Sequence, residues 1–177
     1  MDARLQAMLD KHEITELLYT YARAADRHDN DVMRSLYHED ATDDHGAFFK
    51  GLAMAFIDQL PQIQAPMKIL HHNITNINIK LDGDYAEGEV YVLAYHQVTT
   101  ETAPLDLLIG GRYLDKYARR NQQWKFAERA VLADWATIDQ PSRVDLKHPM
   151  IEGSHIGSPG PQDPSYNFFN LFQWGQR

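Results

Sequence analysis

Apolar and polar positions along the chain change their period once, and the change divides the chain into a helical part and a stranded part. In Ile14–Asp31, ITELLYTYARAADRHDND, the residues Ile14, Leu17, Leu18, Tyr21 and Ala25 recur at the spacing of one helical face, with no Gly or Pro between them. This predicts a helix over roughly residues 3–27. The stripe runs into the polar cluster Asp26, Arg27, His28, Asp29, Asn30 and Asp31. At about 100° per residue, Asp26 falls on the edge of the apolar stripe and not opposite it. Spacing alone reads it as a solvated helix end or as part of a turn. Asp29 or Asn30 can cap a second helix carrying Val32, Met33, Leu36 and Tyr37. HEDATDDHGAFFKG, from His38 to Gly51, is turn-rich and then apolar, with a short strand or loop expected around Phe48–Phe49. Met54, Phe56, Ile57 and Leu60 predict a third helix that stops at Pro61.

From Leu70 the period is two. Ile77, Ile79 and Leu81 alternate with Asn76, Asn78 and Lys80, and Asp82-Gly83 is a strong hairpin turn. In the next strand Ala86, Val90, Val92, Ala94, His96 and Val98 share one face. Two more strands follow, at roughly 105–118 and 123–137. Three helices followed by a four-stranded antiparallel meander predict an α+β fold, with the helices packed over the concave face of a curved sheet. This domain is expected to span 1–138. Residues 139–177 lose all periodicity and are rich in Pro and Gly, yet end on Tyr166, Phe168, Phe169, Phe172 and Trp174. A disordered tail lacks such aromatics, so this extension is expected to dock, over a pocket mouth or on a neighbouring subunit.

Composition narrows the function classes. The net charge of −8 and the single short basic cluster around Arg112, Lys116, Arg119, Arg120 and Lys125 argue against a nucleic-acid partner. No apolar run approaches membrane-spanning length. The absence of Cys removes thiolate chemistry, and the charged N-terminus MDARLQAMLDKHE does not look like a signal peptide. Both fit a cytoplasmic enzyme.

His96 is the most informative candidate, because a lone ionisable side chain on the apolar face of a strand is unusual. It reads either as a hydrogen-bonded core histidine or as a general acid or base on the concave face. Parity counted back from Ile77, Ile79 and Leu81 places His71 inward. A bulge near Thr75–Asn76 would turn His72 inward instead. Arg129 shares its predicted face with Ala127, Val131, Ala133 and Trp135, which suggests a buried ion pair or an anion-stabilising donor. Asp43, Asp44, His45, His71 and His72 match no metal-binding motif. There is no phosphate-binding glycine loop and no nucleophile elbow.

The order of these segments resembles the SnoaL-like branch of the nuclear transport factor 2 superfamily, over roughly residues 8–137. Its motifs are similar to those of scytalone dehydratase and hexachlorocyclohexane dehydrochlorinase. The resemblance implies a cone-shaped α+β barrel and a homo-oligomer, trimer or dimer. YARAADRHDND places Asp26 at the family's catalytic Asp, and LHHNITNINI places His72 at the His that pairs with it. GEVYVLAYH places His96 at the dehydratase's second histidine, and LIGGRYLDKYARRNQQWKFAER places Arg129 at the dehydrochlorinase's arginine. Tyr21 stands where the dehydrochlorinase has a Lys, and Ala25 where the dehydratase orients substrate with a Tyr. His45 falls near its second such Tyr, and Gly111 and Tyr113 replace its strand Ser and Asn. The implied activity is that of a lyase that needs no cofactor and no metal. It would act by His/Asp acid–base catalysis on a small hydrophobic, hydroxylated aromatic substrate, by dehydration or a related elimination such as retro-aldol loss of formaldehyde. Tyr21, His45, Tyr113 and Trp135 are its expected substrate contacts. Isomerases and non-catalytic binding subunits share the fold, so both remain alternatives.

Overall fold

The computed structural model describes residues 2–172. Its first helix, α1, runs Ala3–Asp26, and Asp2 caps it by accepting from the Arg4 N–H at 2.7 Å. Ile14 and Leu18 on its inner face are sealed from solvent. Burying each is worth about 1.5–3 kcal/mol, so packing holds this helix more than propensity does. The helix ends in a left-handed turn at His28, φ 54°. The Asp29 N–H reaches back to the Ala24 carbonyl at 2.9 Å and the His28 N–H to the Ala25 carbonyl at 3.3 Å. This is a Schellman arrangement with His28 in glycine's usual place. Asp29 then caps the short helix α2, Asn30–Ser35, by accepting from the Val32 N–H.

The remaining elements are β1 (Tyr37–Asp44), β2 (Lys50–Leu52), α3 (Ala53–Gln64), β3 (Met67–Asp82), β4 (Tyr85–Val98), β5 (Leu105–Arg120) and β6 (Gln123–Asp139). They form one curved sheet in the order β2-β1-β6-β5-β4-β3. The predicted meander is β3 to β6. The sheet has six strands and not four, because β1 pairs parallel to β6 and β2 folds back on β1. The polar sequence YHEDATDD has little strand propensity of its own. Pairing to β6 and the burial of Tyr37, Ala41 and Asp43 override it.

The third helix also departs from expectation, since α3 continues through Pro61 to Gln64. Proline inside a helix costs about 3 kcal/mol through its missing N–H and its ring clash. Burial of Leu60 and Gln64 and the packing of Ile63 against the core offset that cost.

Of the register shifts in the meander, two bear on the site. Between Ile74 and Ile77 the pairing of β3 with β4 slips, and between Gly110 and Gly111 the pairing of β5 with β6 slips past Asp134. At one end of the concave face Val90, Tyr117 and Phe126 fill the core under α1. At the other end the same strands leave a cavity.

Beyond β6 the chain forms only a 3₁₀ turn, Pro149–Ile151, and a short helix α4, Ser165–Phe168. This extension is tied to the end of α1. Asp163 is buried and pairs with Arg27 at 2.9 Å, and the Gly160 N–H donates to the Arg27 carbonyl at 2.7 Å. The Tyr166 ring lies under the Arg23 guanidinium at 4.9 Å. Tyr166 is the docked aromatic, whereas Phe168, Leu171 and Phe172 are exposed in this chain. Trp174 lies outside the described residues. No helix among the described residues is long and apolar enough to cross a membrane.

Candidate active site

Asp26 is the last residue of α1, and the Schellman turn behind it aims its carboxylate at β3. There it accepts twice from one residue. The backbone N–H of His72 donates to Oδ1 and Oδ2 at 3.0 and 3.1 Å, and Nδ1 of the ring lies 2.6 Å from Oδ1. One carboxylate therefore fixes both the strand and the imidazole it carries. With Nδ1–H committed to Asp26, Nε2 is the nitrogen left with a free lone pair.

The slip at Thr75–Asn76 decides which histidine enters. Ile74 pairs with Val92 and Ile77 with Val90, so Thr75 and Asn76 of β3 together face the single residue Tyr91 of β4 and the alternation reverses. His72 turns inward and His71 is exposed. This is the bulged alternative of the two that the sequence allows.

His72 opens on a cavity of about 430 Å³. Phe56, Leu60, Met67, Leu70, Val92, Leu107 and Ile109 make most of its wall apolar, which suits a hydrophobic ring compound. His96 enters beside His72, the two rings 5.5 Å apart and steeply inclined. Burial, and then the neighbouring His72, push the His96 pKa down to about 4. His96 is therefore neutral at physiological pH, able to donate from one ring nitrogen and accept at the other.

Tyr21, His45 and Tyr113 also line the cavity. Burial raises the pKa of both phenols, so their hydroxyls stay protonated. His45 stacks on Phe56 with ring centroids 4.4 Å apart, and its Nε2 lies 2.9 Å from Oδ1 of the fully buried Asp43. The Tyr37 hydroxyl holds the other oxygen of Asp43 at 2.8 Å.

Two expected site residues lie elsewhere. Arg129 has no exposed surface and does not line the cavity. Its guanidinium forms a two-pronged pair with Asp115 at 2.7 and 2.8 Å and is enclosed by the rings of Tyr21, Tyr113 and Phe126 at 4.0–4.2 Å. The sequence pattern allows a buried ion pair or an anion donor, and the geometry is that of the buried pair. Trp135 is about half exposed and rests on the backbone of Gly110, where a Cβ would collide with the indole. The extra residue Asp134 shifts the alternation of β6 and turns Trp135 to the outer face.

One polar residue of the cavity wall escapes the sequence reading altogether. Gln64 is buried and lines the cavity because α3 runs past Pro61. Among the described residues no three His, Cys, Asp or Glu side chains gather as a metal ion would need.

Comparison with known proteins places this geometry. No curated protein matches the chain. Among solved structures, a candidate scytalone dehydratase from Novosphingobium aromaticivorans is 23% identical, with a TM-score of 0.68 over 78% of this chain and 91% of its own. A type 2 hexachlorocyclohexane dehydrochlorinase (LinA) is 18% identical, with a TM-score of 0.73 over 81% of this chain and 97% of its own. The type 3 LinA of Novosphingobium barchaimii is 17% identical, with a TM-score of 0.73 over 81% and 99%. At these identities the likeness carries the fold, a cone of the nuclear transport factor 2 type. The SnoaL-like domain profile matches residues 6–130, most of the chain, and the protein belongs to the SnoaL-like domain family.

Proposed function

We propose that this protein is a cofactor-independent lyase acting on a small, hydrophobic, hydroxylated aromatic compound. One observation carries the reading: an imidazole held by a carboxylate at 2.6 Å presents its free nitrogen to an apolar cavity. Nε2 of His72 removes a proton from a carbon or hydroxyl of the substrate. Asp26 holds the tautomer and stabilises the imidazolium that forms. His96, neutral beside it, hydrogen-bonds the leaving or developing oxygen, with the protonated hydroxyl of Tyr113 and His45 available on the same cavity wall. The reaction is an elimination, either dehydration or a retro-aldol loss of formaldehyde. Arg129 stands outside this chemistry because Asp115 and three rings enclose it.

The relatives support the reaction class, since their names are those of a dehydratase and a dehydrochlorinase. The two adjacent imidazoles also support a second reading, a carbon-acid isomerase in which His96 returns the proton that His72 removes. We propose in addition that the protein is a homo-oligomer. Tyr91, Leu93, Leu114 and Trp135 leave apolar surface on the outer face of the sheet.

The test is turnover of a panel of hydroxylated aromatic compounds, with EDTA present, by the wild type and His72→Ala. Release of water or formaldehyde by the wild type, lost in the variant while its melting temperature holds, supports the lyase. Rearranged product of unchanged mass supports the isomerase. Full activity in the variant removes His72 from the mechanism.

A further inference from the structure

We propose that Gln64 is a specificity residue, a fixed hydrogen-bond acceptor for a hydroxyl of an uncharged aromatic substrate. Gln64 is only 4% exposed, and it lines the cavity beside Ala25 and His72. Its Nε2 donates to the Ala25 carbonyl at 3.3 Å. That contact sets the amide's orientation, because a flip would bring Oε1 against the carbonyl, acceptor against acceptor. Oε1 is thereby left buried, and it accepts no hydrogen bond from the described residues. A buried acceptor without a donor is costly, and a ligand that brings one recovers the loss. A carbonyl or carboxylate oxygen would be repelled at the same point.

The rest of the wall narrows the class of ligand further. No Lys or Arg lines the cavity among the described residues. No permanent cation there balances a full negative charge, which favours a neutral ligand, and the orphaned Oε1 calls for a donor at its polar end. Ala25 immediately precedes Asp26, so the amide is tethered to the same helix end that orients His72. A substrate held by Gln64 is positioned relative to the catalytic pair through one rigid element. This inference rests on the cavity being the substrate site, as proposed above, but not on His72 being the base.

The experiment compares two ligands of nearly equal shape, 2-naphthol and 2-methylnaphthalene, titrated against wild type, Gln64→Met and His72→Ala. The quantity read is the ratio of the two dissociation constants. Gln64→Met is expected to shift that ratio about tenfold against 2-naphthol, and His72→Ala to leave it within about twofold. A ratio unchanged in Gln64→Met, a ratio that collapses in His72→Ala instead, or failure of both ligands to bind the wild type overturns the proposal. Should Gln64→Met not fold, the side-chain amide ¹⁵N resonances of Gln64 in the wild type give the answer. They move with 2-naphthol and hold still with 2-methylnaphthalene; equal movement with both sinks the idea. Loss of turnover in His72→Ala is a separate result, so the two readings fail independently.

Discussion

Among the basic side chains that meet aspartates in this molecule, His72 and Arg129 contrast a pair proposed for chemistry with a pair that belongs to the scaffold. His72 and Asp26 meet at 2.6 Å, and each side chain keeps 12% of its surface open. Arg129 and Asp115 meet at 2.7 Å and keep none. The first pair has a free nitrogen and a cavity in front of it. The second is closed by Tyr21, Tyr113 and Phe126. An ion pair without access can stabilise or specify a fold but cannot exchange a proton with a ligand. Charge among apolar neighbours, the signal that singles out both His96 and Arg129 in the sequence, does not distinguish these cases. Access to the cavity does.

The strongest test of the contrast is to break each pair on one side. His72→Ala should cost about 10²–10⁴ in turnover, the range for loss of a general base, and less than about 1 kcal/mol in stability, because the residue sits at a cavity wall. Arg129→Met should do the reverse. It leaves Asp115 buried and unpaired, which costs about 3–5 kcal/mol and lowers the melting temperature by about 10 °C. The double variant Arg129→Met/Asp115→Leu should recover most of that loss. If Arg129→Met melts normally yet loses turnover, the assignment of the two pairs is reversed.

A smaller effect tests the cavity side alone. His96 has a folded-state pKa of about 4, below its ordinary 6.5. Between these values the unfolded chain binds a proton that the native protein does not, so stability rises with pH across this window. Acidification from pH 6.5 to 4 should therefore cost up to about 3 kcal/mol through this residue. Denaturant melts of His96→Gln should lack that component of the slope; identical slopes would mean that His96 is not desolvated as described.

The smallest expected effect lies at the extension. Asp163 holds Arg27, which in turn reaches the Leu70 carbonyl two residues before His72. Burial works to raise the Asp163 pKa, but hydrogen bonds from Ser165, the Ser158 N–H and Arg27 outweigh it and hold the value at about 2. Asp163→Asn should cost about 1 kcal/mol and lower kcat a few-fold. No change in either would mean that the extension merely lies against α1.

Most of the fold could be read from period and turn chemistry. The α1 stripe, the Asp82-Gly83 turn and the four long strands are where the pattern predicts them. The failures share one physical cause, tertiary contact overriding local preference. Tyr37–Asp44 becomes a strand because β6 offers an edge, and α3 outlasts Pro61 because Leu60 and Gln64 are buried. At the site, Asp26, His72 and His96 come together, while Arg129 and Trp135 do not join them. A slip in register decides two of these positions, and alternation alone does not locate a slip. Gln64 gave no signal of its own, since it follows the proline that marks the apparent helix end.

The irregularity at Thr75–Asn76 acts as a parity bit for the whole site. The His72 end of β3 is clamped to α1 through Asp26, and the other end is clamped by the hairpin at Asp82-Gly83. With both ends held, the extra residue is what reconciles their parities. An unbroken strand through this sequence would present either His71 to the cavity or Asn76 and Asn78 to the core. Deleting Thr75 or Asn76 leaves one residue opposite Tyr91 and restores regular alternation, with His72 and Ile77 both still facing inward. Two residues that do not line the cavity therefore choose which histidine meets Asp26.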